Sequence, residues 1–248
     1  MLRPRISPIL LLKGSGSEKT RSFKPYKYLG DIINNIRIFN ELNVDELTIF
    51  GIENAKDNNS EINFKILKKI ARESNMPLCY GGGIKTKTDA EMIVNIGFEK
   101  ISLCQNALDF NLVNSISSSI GSQSLVLHFD YRQDFLGRYS FYVNRGQTKL
   151  SIKFDKIIEY VTKCSPGEVV FQSIELDGTK NGLDQKFIRN FNSKFPIPIK
   201  FIGGCSGYED LENCNKINSS ASFGVGAHFI LYGKYDAVLP SYEAPRFL

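Results

Sequence analysis

The apolar run Leu125-Val-Leu-His-Phe129 is followed at once by an aspartate, Asp130. The run is typical of a buried β-strand, so Asp130 is predicted at the carboxyl end of that strand. A carboxylate in this place is a reasonable general acid or base, and Asp130 is the candidate catalytic residue. His128 shares its side of the strand because side chains alternate with a period of two. We expect His128 one layer below, as an interior histidine with a hydrogen-bond partner or as a group that tunes the pKa of Asp130.

Glycine-rich loops form a second set of candidate functional residues. They follow other strand-like runs, and glycine there lets backbone N–H groups approach phosphate oxygens closely. Ordinary turn formation is the alternative explanation for any single glycine pair. The candidate ligand-binding residues are Gly82, Gly83, Asp177, Gly178, Gly203 and Gly204, with Gly224-Val-Gly226 at the end of a further run.

Four charged residues each stand just before the apolar part of a strand-like run. They alternate in sign and are Arg5, Glu46, Lys100 and Glu168, which we call the charged ring. In a barrel of parallel strands, residues in this place meet at the amino-terminal end, where such a ring usually stabilises the fold. A gate to a passage along the barrel axis is the second interpretation.

The composition is that of a globular protein and argues against several functional classes. Hydrophobic residues make up 42% of the 248 residues and charged residues 23%, which argues against disorder. No run approaches the ~20 apolar residues of a membrane span, and the apolar stretch at residues 8–12 lacks the form of a signal peptide. The net charge of +5 is scattered, without a basic stripe between aromatic residues. We therefore expect neither a nucleic-acid partner nor membrane association.

The cysteines and histidines suggest no disulfide framework and no metal. Five cysteines form no Cys-x-x-Cys pair and are odd in number, which predicts reduced thiols in the cytosol. No spacing typical of a metal site is visible, so we expect no metal and no cofactor.

Short apolar runs alternate with amphipathic stretches along the chain. Strands are predicted at residues 6–12, 47–50, 77–80, 101–103, 125–129, 169–172, 198–202 and 222–225. Helices are predicted at residues 31–42, 64–74, 87–96, 110–120, 154–162, 184–195 and 208–217. Eight strands separated by helices predict an α/β fold with a parallel sheet, closed as a (βα)₈ TIM barrel. The alternating segment 138–150 predicts a small β-hairpin inserted after the fifth strand.

The two halves of the chain repeat each other. Asp45-Glu-Leu-Thr-Ile-Phe-Gly-Ile-Glu53 aligns with residues 167–175 at an offset of 122. Met76-Pro-Leu-Cys-Tyr-Gly-Gly-Gly83 aligns with residues 197–204 at an offset of 121. Both offsets are close to half the chain and indicate two similar half-barrels, so the glycine loops would form two opposed sites for an elongated ligand with a phosphate at each end. No linker divides the chain, and residues 1–248 are predicted to form one domain.

Several short motifs together resemble one family over almost the entire chain. They are Arg5-Ile-Ser-Pro8, Asp45-Glu-Leu47, Tyr80-Gly-Gly-Gly-Ile84, Glu99-Lys-Ile-Ser102, Gly121-Ser-Gln-Ser124, Asp177-Gly-Thr-Lys180 and Gly203-Gly204. The chain resembles the cyclase subunit of imidazole glycerol phosphate synthase. The resemblance implies a duplicated half-barrel that receives ammonia from a glutaminase subunit bound at its amino-terminal face. It also implies that the charged ring is the gate for that ammonia.

The chemical end of the barrel departs from the family pattern. The resemblance implies two catalytic aspartates, of which Asp130 matches one, while Leu11 occupies the position of the other. A leucine cannot transfer a proton. The family's usual Asn-Thr after strand four is Cys104-Gln105 here, and a family serine after strand eight is Ala227.

A paralogous group resembles the chain at these departures. It has the same Leu-Leu-Leu-Lys signature, here Leu10-Leu-Leu-Lys13, and the segments 77–83 and 232–239 are similar as well. The group is associated with amidation of bacterial surface sugars, together with a glutaminase and a separate sugar amidotransferase. The leading hypothesis is therefore a barrel that conducts ammonia to such a third protein.

Three alternatives stay open. A true cyclase would make imidazole glycerol phosphate, although Leu11 argues against it. A non-catalytic scaffold would only position its partners. The related isomerase of histidine biosynthesis fits least well, because it too needs acidic residues on both halves.

Overall fold

The computed structural model describes residues 4–52, 61–191 and 195–243. Its strands are β1 (Ile6–Lys13), β2 (Gly16–Arg21), β3 (Lys24–Asp31), β4 (Leu47–Gly51), β5 (Leu78–Gly81), β6 (Lys100–Leu103), β7 (Leu125–Gln133), β8 (Tyr139–Val143), β9 (Thr148–Lys149), β10 (Glu168–Ser173), β11 (Ile199–Ile202), β12 (Ala221–Val225), β13 (Leu231–Tyr232) and β14 (Ala237–Val238). Its helices are α1 (Ile32–Glu41), α2 (Phe64–Glu73), α3 (Lys87–Ile96), α4 (Phe110–Ile120), α5 (Phe154–Cys164), α6 (Gln185–Ile188), α7 (Tyr208–Ile217) and α8 (Ala227–Ile230), with a short 3₁₀ turn at Ser122–Ser124.

Eight of these strands form a closed parallel barrel. They follow one another as β1, β4, β5, β6, β7, β10, β11 and β12, and β12 pairs with β1 to close the circle. Helices alternate with these strands along the chain. The predicted (βα)₈ TIM barrel is therefore confirmed. None of the helices within the described residues is both long and apolar enough to cross a membrane.

The alternation of side chains along each strand divides the core into two parts. On β1, Ile6, Leu10 and Leu12 face outward and pack in the larger cluster between sheet and helices. Ile9 and Leu11 face inward. Inward-facing residues of the other strands form a small apolar cluster with them, namely Cys79, Val126, Val170 and Ile202, with Phe50 and Ile52 packed against it.

Polar side chains determine where most of the helices begin. Asp31, Asn63, Thr86, Asp109 and Asp184 each accept a hydrogen bond from a backbone N–H in the first turn of the following helix. Such caps satisfy amides that have no partner inside the helix. The helices are therefore held in fixed positions around the barrel.

The predicted hairpin after the fifth barrel strand is present. β7 continues beyond the barrel to Gln133 and pairs antiparallel with β8, which pairs with β9. A second hairpin was not predicted: β2 and β3 pair antiparallel directly after β1. Its sequence is mostly lysine, tyrosine and small polar residues, so it lacks the apolar alternation that would have indicated strands.

The helix predicted at residues 184–195 is wrong in length. α6 ends at Ile188, because the Asn190 side-chain amide donates to the carbonyl oxygens of Lys186 and Phe187 at 3.3 and 3.0 Å. Residues 192–194 of that prediction, and Glu53 of the internal repeat, lie outside the described residues. The four-residue helix α8 was missed because one turn is too short to show a period.

Replacing Phe187 by alanine tests the packing between barrel and helices. Phe187 is fully buried, and its ring stacks on that of Tyr131 with centroids 4.0 Å apart. We expect Phe187→Ala to lower the free energy of unfolding by about 3–5 kcal/mol, measured by urea denaturation. Phe135→Ala is the matched control, since Phe135 is 94% exposed, and it should change stability by less than about 0.5 kcal/mol. Equal losses in the two variants would contradict this packing.

Candidate functional site

The charged ring lies at the amino-terminal end of the barrel. Arg5 and Glu46 directly precede β1 and β4, whereas Lys100 and Glu168 are the first residues of β6 and β10. The four side chains come from different parts of the chain, and the closed sheet brings them together. The sequence prediction therefore placed them at the correct end of the barrel.

Each cation of the ring contacts both carboxylates. Arg5 Nη2 lies 2.5 Å from Glu168 Oε1, and Arg5 Nη1 lies 3.7 Å from Glu46 Oε2. Lys100 Nζ lies 2.7 Å from Glu46 Oε2 and 3.5 Å from Glu168 Oε2. Both glutamates are buried, whereas the Arg5 side chain is 39% exposed and faces the outside of the barrel.

A fifth charge, Lys200 of β11, joins the ring from inside the barrel. Its Nζ lies 2.5 Å from Glu46 Oε1 and 3.3 Å from Glu168 Oε2, and the residue is 1% exposed. Sequence reasoning missed it. The signal was a single lysine in the middle of an apolar strand, on the same side as Ile202.

The cations keep both buried carboxylates ionised. Burial alone would raise the pKa of Glu46, but Lys200, Lys100 and Arg5 lower it from its ordinary 4.5 to about 2. The pKa of Glu168 is also lowered: burial opposes this, and Lys200 and Lys100 outweigh it. The same contacts raise the pKa of Lys200 despite its burial. The cluster is therefore fully charged at neutral pH.

A surface groove beside the ring reaches one of its residues. This groove of about 460 Å³ at the amino-terminal end of the barrel is lined by Val94, Gly97, Phe98, Glu99, Lys100, Gln123 and Ser124. Lys100 therefore belongs both to the ring and to the surface outside it, whereas Arg5, Glu46 and Glu168 do not line the groove.

Asp130 lies at the other end of the barrel and is 5% exposed. The Cys104 thiol donates to its Oδ2 at 3.3 Å. Burial and the charge of Asp130 raise the pKa of Cys104 well above its ordinary value, so the thiol is a proton donor rather than a nucleophile at neutral pH. The buried carboxylate and the half-buried thiol, which directly follows β6, thus form a pair at the carboxyl ends of neighbouring strands.

His128 lies next to Asp130, as predicted, but not with the expected hydrogen bond. His128 Nε2 is 3.2 Å from Asp130 Oδ1. Neither ring nitrogen has a hydrogen-bond partner among the described residues, although the side chain is buried. The distance suits a hydrogen bond, but the angle at the ring nitrogen does not. The ring also packs against Phe50, with centroids 5.1 Å apart.

The loops of the second half-barrel surround a narrow cavity of about 20 Å³ at the carboxyl end, which we call the pocket. It gathers Asp177, Gly178, Gly203 and Gly204 of the predicted ligand site, together with Leu11. Gly82 and Gly83 of the first half lie outside this pocket. Two further lysines that sequence reasoning missed also line it, Lys19 and Lys180.

Hydrogen bonds from the β2–β3 hairpin hold Asp177 in this pocket. Lys19 Nζ and Thr20 Oγ1 donate to its two carboxylate oxygens at 2.7 and 2.5 Å. Gly178 then needs its φ of +72°, and a Cβ there would lie 2.2 Å from the Thr20 carbonyl oxygen. This glycine is thus explained by close packing of the hairpin. Both lysines of the pocket have carboxylate partners, since Lys19 pairs with Asp177 and Lys180 Nζ lies 2.5 Å from Asp236 Oδ1.

The sequence profile of histidine biosynthesis proteins matches residues 5–236. The chain belongs to this family. A Pseudomonas aeruginosa protein provisionally named imidazole glycerol phosphate synthase subunit hisF2 is 38% identical over 98% of the chain and 96% of its own length. The provisionally named subunit HisF of Leptospira borgpetersenii is 35% identical over 98% and 96%. That named hisF3 in Vibrio vulnificus is 33% identical over 99% and 95%. The resemblance to the cyclase subunit of imidazole glycerol phosphate synthase is therefore confirmed at the level of the family.

At the carboxyl end of the barrel, Leu11 occupies the position where the resemblance to the cyclase subunit implies a second aspartate. Leu11 is 8% exposed and lines the pocket with Ile9 and Ile202. The inward-facing position on β1 is therefore apolar, although Lys19, Asp177 and Lys180 line the same pocket. Among the described residues, no group of three or more His, Cys, Asp or Glu side chains could hold a metal ion.

The depressed pKa of Glu46 predicts acid sensitivity. Its contribution to stability is complete above the unfolded pKa near 4.5 and is lost as the pH falls towards about 2. We expect the free energy of unfolding to fall over this interval by on the order of 2 kcal/mol through this group. Glu46→Gln should be less stable at pH 7 and lose less stability between pH 5 and pH 2, measured by urea denaturation at each pH. Glu159→Gln on α5, whose carboxylate is exposed, is the control. The prediction is wrong if the wild type and Glu46→Gln depend identically on pH.

Proposed function

We propose that this chain is a single-domain cytosolic barrel, residues 1–248, that binds a glutaminase at its amino-terminal face. Ammonia from the glutaminase crosses the barrel and is handed to a third protein. That protein is a sugar amidotransferase, which forms an amidine on a precursor of a bacterial surface glycan. Arg5, Glu46, Lys100 and Glu168 act as the gate for the ammonia.

The observation that carries the proposal is the combination of a complete charged ring with an incomplete catalytic end. Each cation of the ring contacts both carboxylates, and the groove beside the ring reaches Lys100. At the other end Asp130 has no acidic counterpart on β1, because Leu11 occupies that position. A barrel that only conducts ammonia needs the first feature and not the second.

Two buried polar side chains on β6 and β7 interrupt the apolar interior between the ring and Asp130. Ser102 is buried on β6, two residues after Lys100, and its hydroxyl has no hydrogen-bond partner among the described residues. The two ring nitrogens of His128 are also without such a partner. Ammonia has three donors and one lone pair, and these groups can exchange hydrogen bonds with it. Asp130 and Cys104 then serve as the last polar groups of the path, or as part of a site for a phosphorylated ligand that activates the glutaminase.

The pocket of the second half-barrel supports that ligand site. Lys180 and Lys19 line it with Gly203 and Gly204, so cations and glycine loops lie near one another. A phosphate bound there would replace Asp236 and Asp177 as partners of the two lysines and would widen the narrow cavity. A phosphorylated small molecule has the matching charge. No cofactor and no metal is needed for this function.

Binding of a glutaminase tests the proposal directly. We expect the purified chain to form a complex with one of the glutaminases of its own genome and to raise its rate of glutamine hydrolysis at least tenfold. Lys100→Met should reduce this stimulation or uncouple hydrolysis from amidation, because Lys100 lies in both ring and groove. The readouts are size-exclusion chromatography and glutamate release.

Lys156→Met is the matched control for this experiment. Lys156 is a lysine on the outer helix α5, with a side chain 65% exposed, and its replacement should leave the complex intact. The absence of binding and stimulation with every glutaminase tested would reject the proposal. A complex in which ring variants keep full amidation would instead favour the scaffold.

A true cyclase is the second candidate, and Asp130 is the observation in its favour. We expect the chain not to complement a histidine auxotroph that lacks the cyclase subunit. Loss of one general acid or base lowers a rate by about 10²–10⁴-fold, and Leu11 cannot replace it. The measurement is growth without histidine, with a genuine cyclase gene as the positive control. Growth supported by this chain would restore the cyclase assignment.

A further inference from the structure

The Lys200 side chain crosses the interior of the barrel. Lys200 belongs to β11, whereas Glu46 precedes β4, and β12 and β1 lie between these strands. The contact between Lys200 Nζ and Glu46 Oε1 therefore spans three steps around an eight-stranded barrel. In the repeat, the counterpart of Lys200 is Cys79 on β5, the strand on the far side of the barrel, and it is buried and faces inward. The ammonium group of Lys200 thus lies across the axis, above the ring.

Two carboxylates and two hydroxyls surround this position. Lys200 Nζ contacts one oxygen of Glu46 and one of Glu168. The hydroxyls of Ser7 and Ser222 donate to the same two carboxylates, both at 3.3 Å. All four partners are buried. A protonated amine at this point has charged acceptors on two sides and is shielded from water.

Lys200 is also the cation that matters most to the carboxylates. Of all charges, it is the largest single influence that lowers the pKa of Glu46 and that of Glu168. Arg5 and Lys100 remain if Lys200 is removed, so the two carboxylates would still face two cations. A barrel without Lys200 is therefore neutral in this cluster and has an unfilled ammonium position.

A buried hydroxyl without a partner lies on the inner face of β6. Ser102 faces inward, two residues after Lys100, and its Oγ has no hydrogen-bond partner among the described residues. The interior thus offers one further polar group farther along β6 than the ring residue Lys100.

We propose that Glu46 and Glu168 form a binding site for an ammonium ion on the inner side of the charged ring, and that Lys200 Nζ fills this site in the resting barrel. The inference rests on the proposed function for the source of the ammonium. An ammonium ion that arrives from the ring competes with a tethered one, and passage requires Lys200 to withdraw. The ammonium group of Lys200 thus blocks the site by making the same ionic contacts that a free ammonium ion would make.

Lys200→Met tests the site in the isolated barrel. Methionine is one heavy atom shorter than lysine, so it keeps the stem and vacates the position of Nζ. We expect the Tm of this variant to rise by roughly 2–4 °C in ammonium chloride relative to potassium chloride at equal ionic strength. The wild type should show equal Tm values in the two salts. Potassium matches ammonium in charge and approximate size but donates no hydrogen bonds.

Two further variants define the site. Lys156→Met, the exposed control, should show no difference between the salts. Adding Glu168→Gln to Lys200→Met should abolish the ammonium effect, and ¹⁵N-labelled ammonium should give a bound NMR signal only when Glu168 is present. Equal Tm values of Lys200→Met in the two salts would overturn the proposal.

A variant that fails to fold is still informative. Lys200→Ala lacks the three carbons and the nitrogen that n-propylammonium supplies. If Lys200→Met does not fold, the yield of refolded Lys200→Ala is compared in n-propylammonium and tetramethylammonium chloride. A higher yield in the former supports the site, and equal yields overturn it. These measurements use no glutaminase, so a negative result beside a functional glutaminase complex would reject this inference alone.

Discussion

The amino-terminal half of the barrel interior is organised around two buried glutamates, which need cationic partners. An ionised carboxylate cannot be buried without a partner, because the loss of hydration costs several kcal/mol. Glu46 and Glu168 are almost completely enclosed, and cations from three other barrel strands reach them. The arrangement works only if β1, β4, β6, β10 and β11 are held in one register. The same strand register that closes the barrel therefore also brings the cations to the two carboxylates.

The fold could be predicted in detail because it leaves local patterns in the sequence, whereas the site depends on contacts between residues far apart in the chain. Barrel strands are apolar on both faces, and helices have an apolar stripe, so both leave a local pattern in the sequence. The bounds of α3, α4 and α7 follow from that pattern without error. The β2–β3 hairpin does not, because it is held by contacts with Asp177 and Asp236 from distant parts of the chain. The spacing of apolar residues within a segment cannot predict contacts with such distant residues.

In the site, too, residues with a local sequence signal were predicted and residues defined by distant contacts were not. Glycines after strands and charges before strands are local signals, and they indicated the ends of the barrel correctly. Lys200 gives no such signal, since its role depends on a glutamate 154 positions away in the chain. Lys19 is similar, because its partner Asp177 lies 158 positions away. The unsatisfied nitrogens of His128 were unpredictable for another reason, because hydrogen-bond angles depend on side-chain rotamers, which local sequence patterns do not determine.

The energetics of buried ion pairs bear on why the ring is there at all. Replacing a buried charged cluster by apolar side chains of similar volume is often neutral or stabilising, by about 1–4 kcal/mol. The barrel could therefore be filled by leucine and valine at the level of Glu46 and Glu168, as it is by Val126 and Val170 one step higher. Stability alone gives no reason to bury the two carboxylates and Lys200 there. A path for a small polar molecule would give one, because such a molecule crosses an apolar layer only by giving up its hydrogen bonds. Inside the barrel an apolar cluster that includes Leu11 lies between the ring and the carboxyl end. By the same argument this cluster is the main barrier on any such path, and the buried Ser102 and His128 are the groups with which a polar molecule could keep hydrogen bonds there.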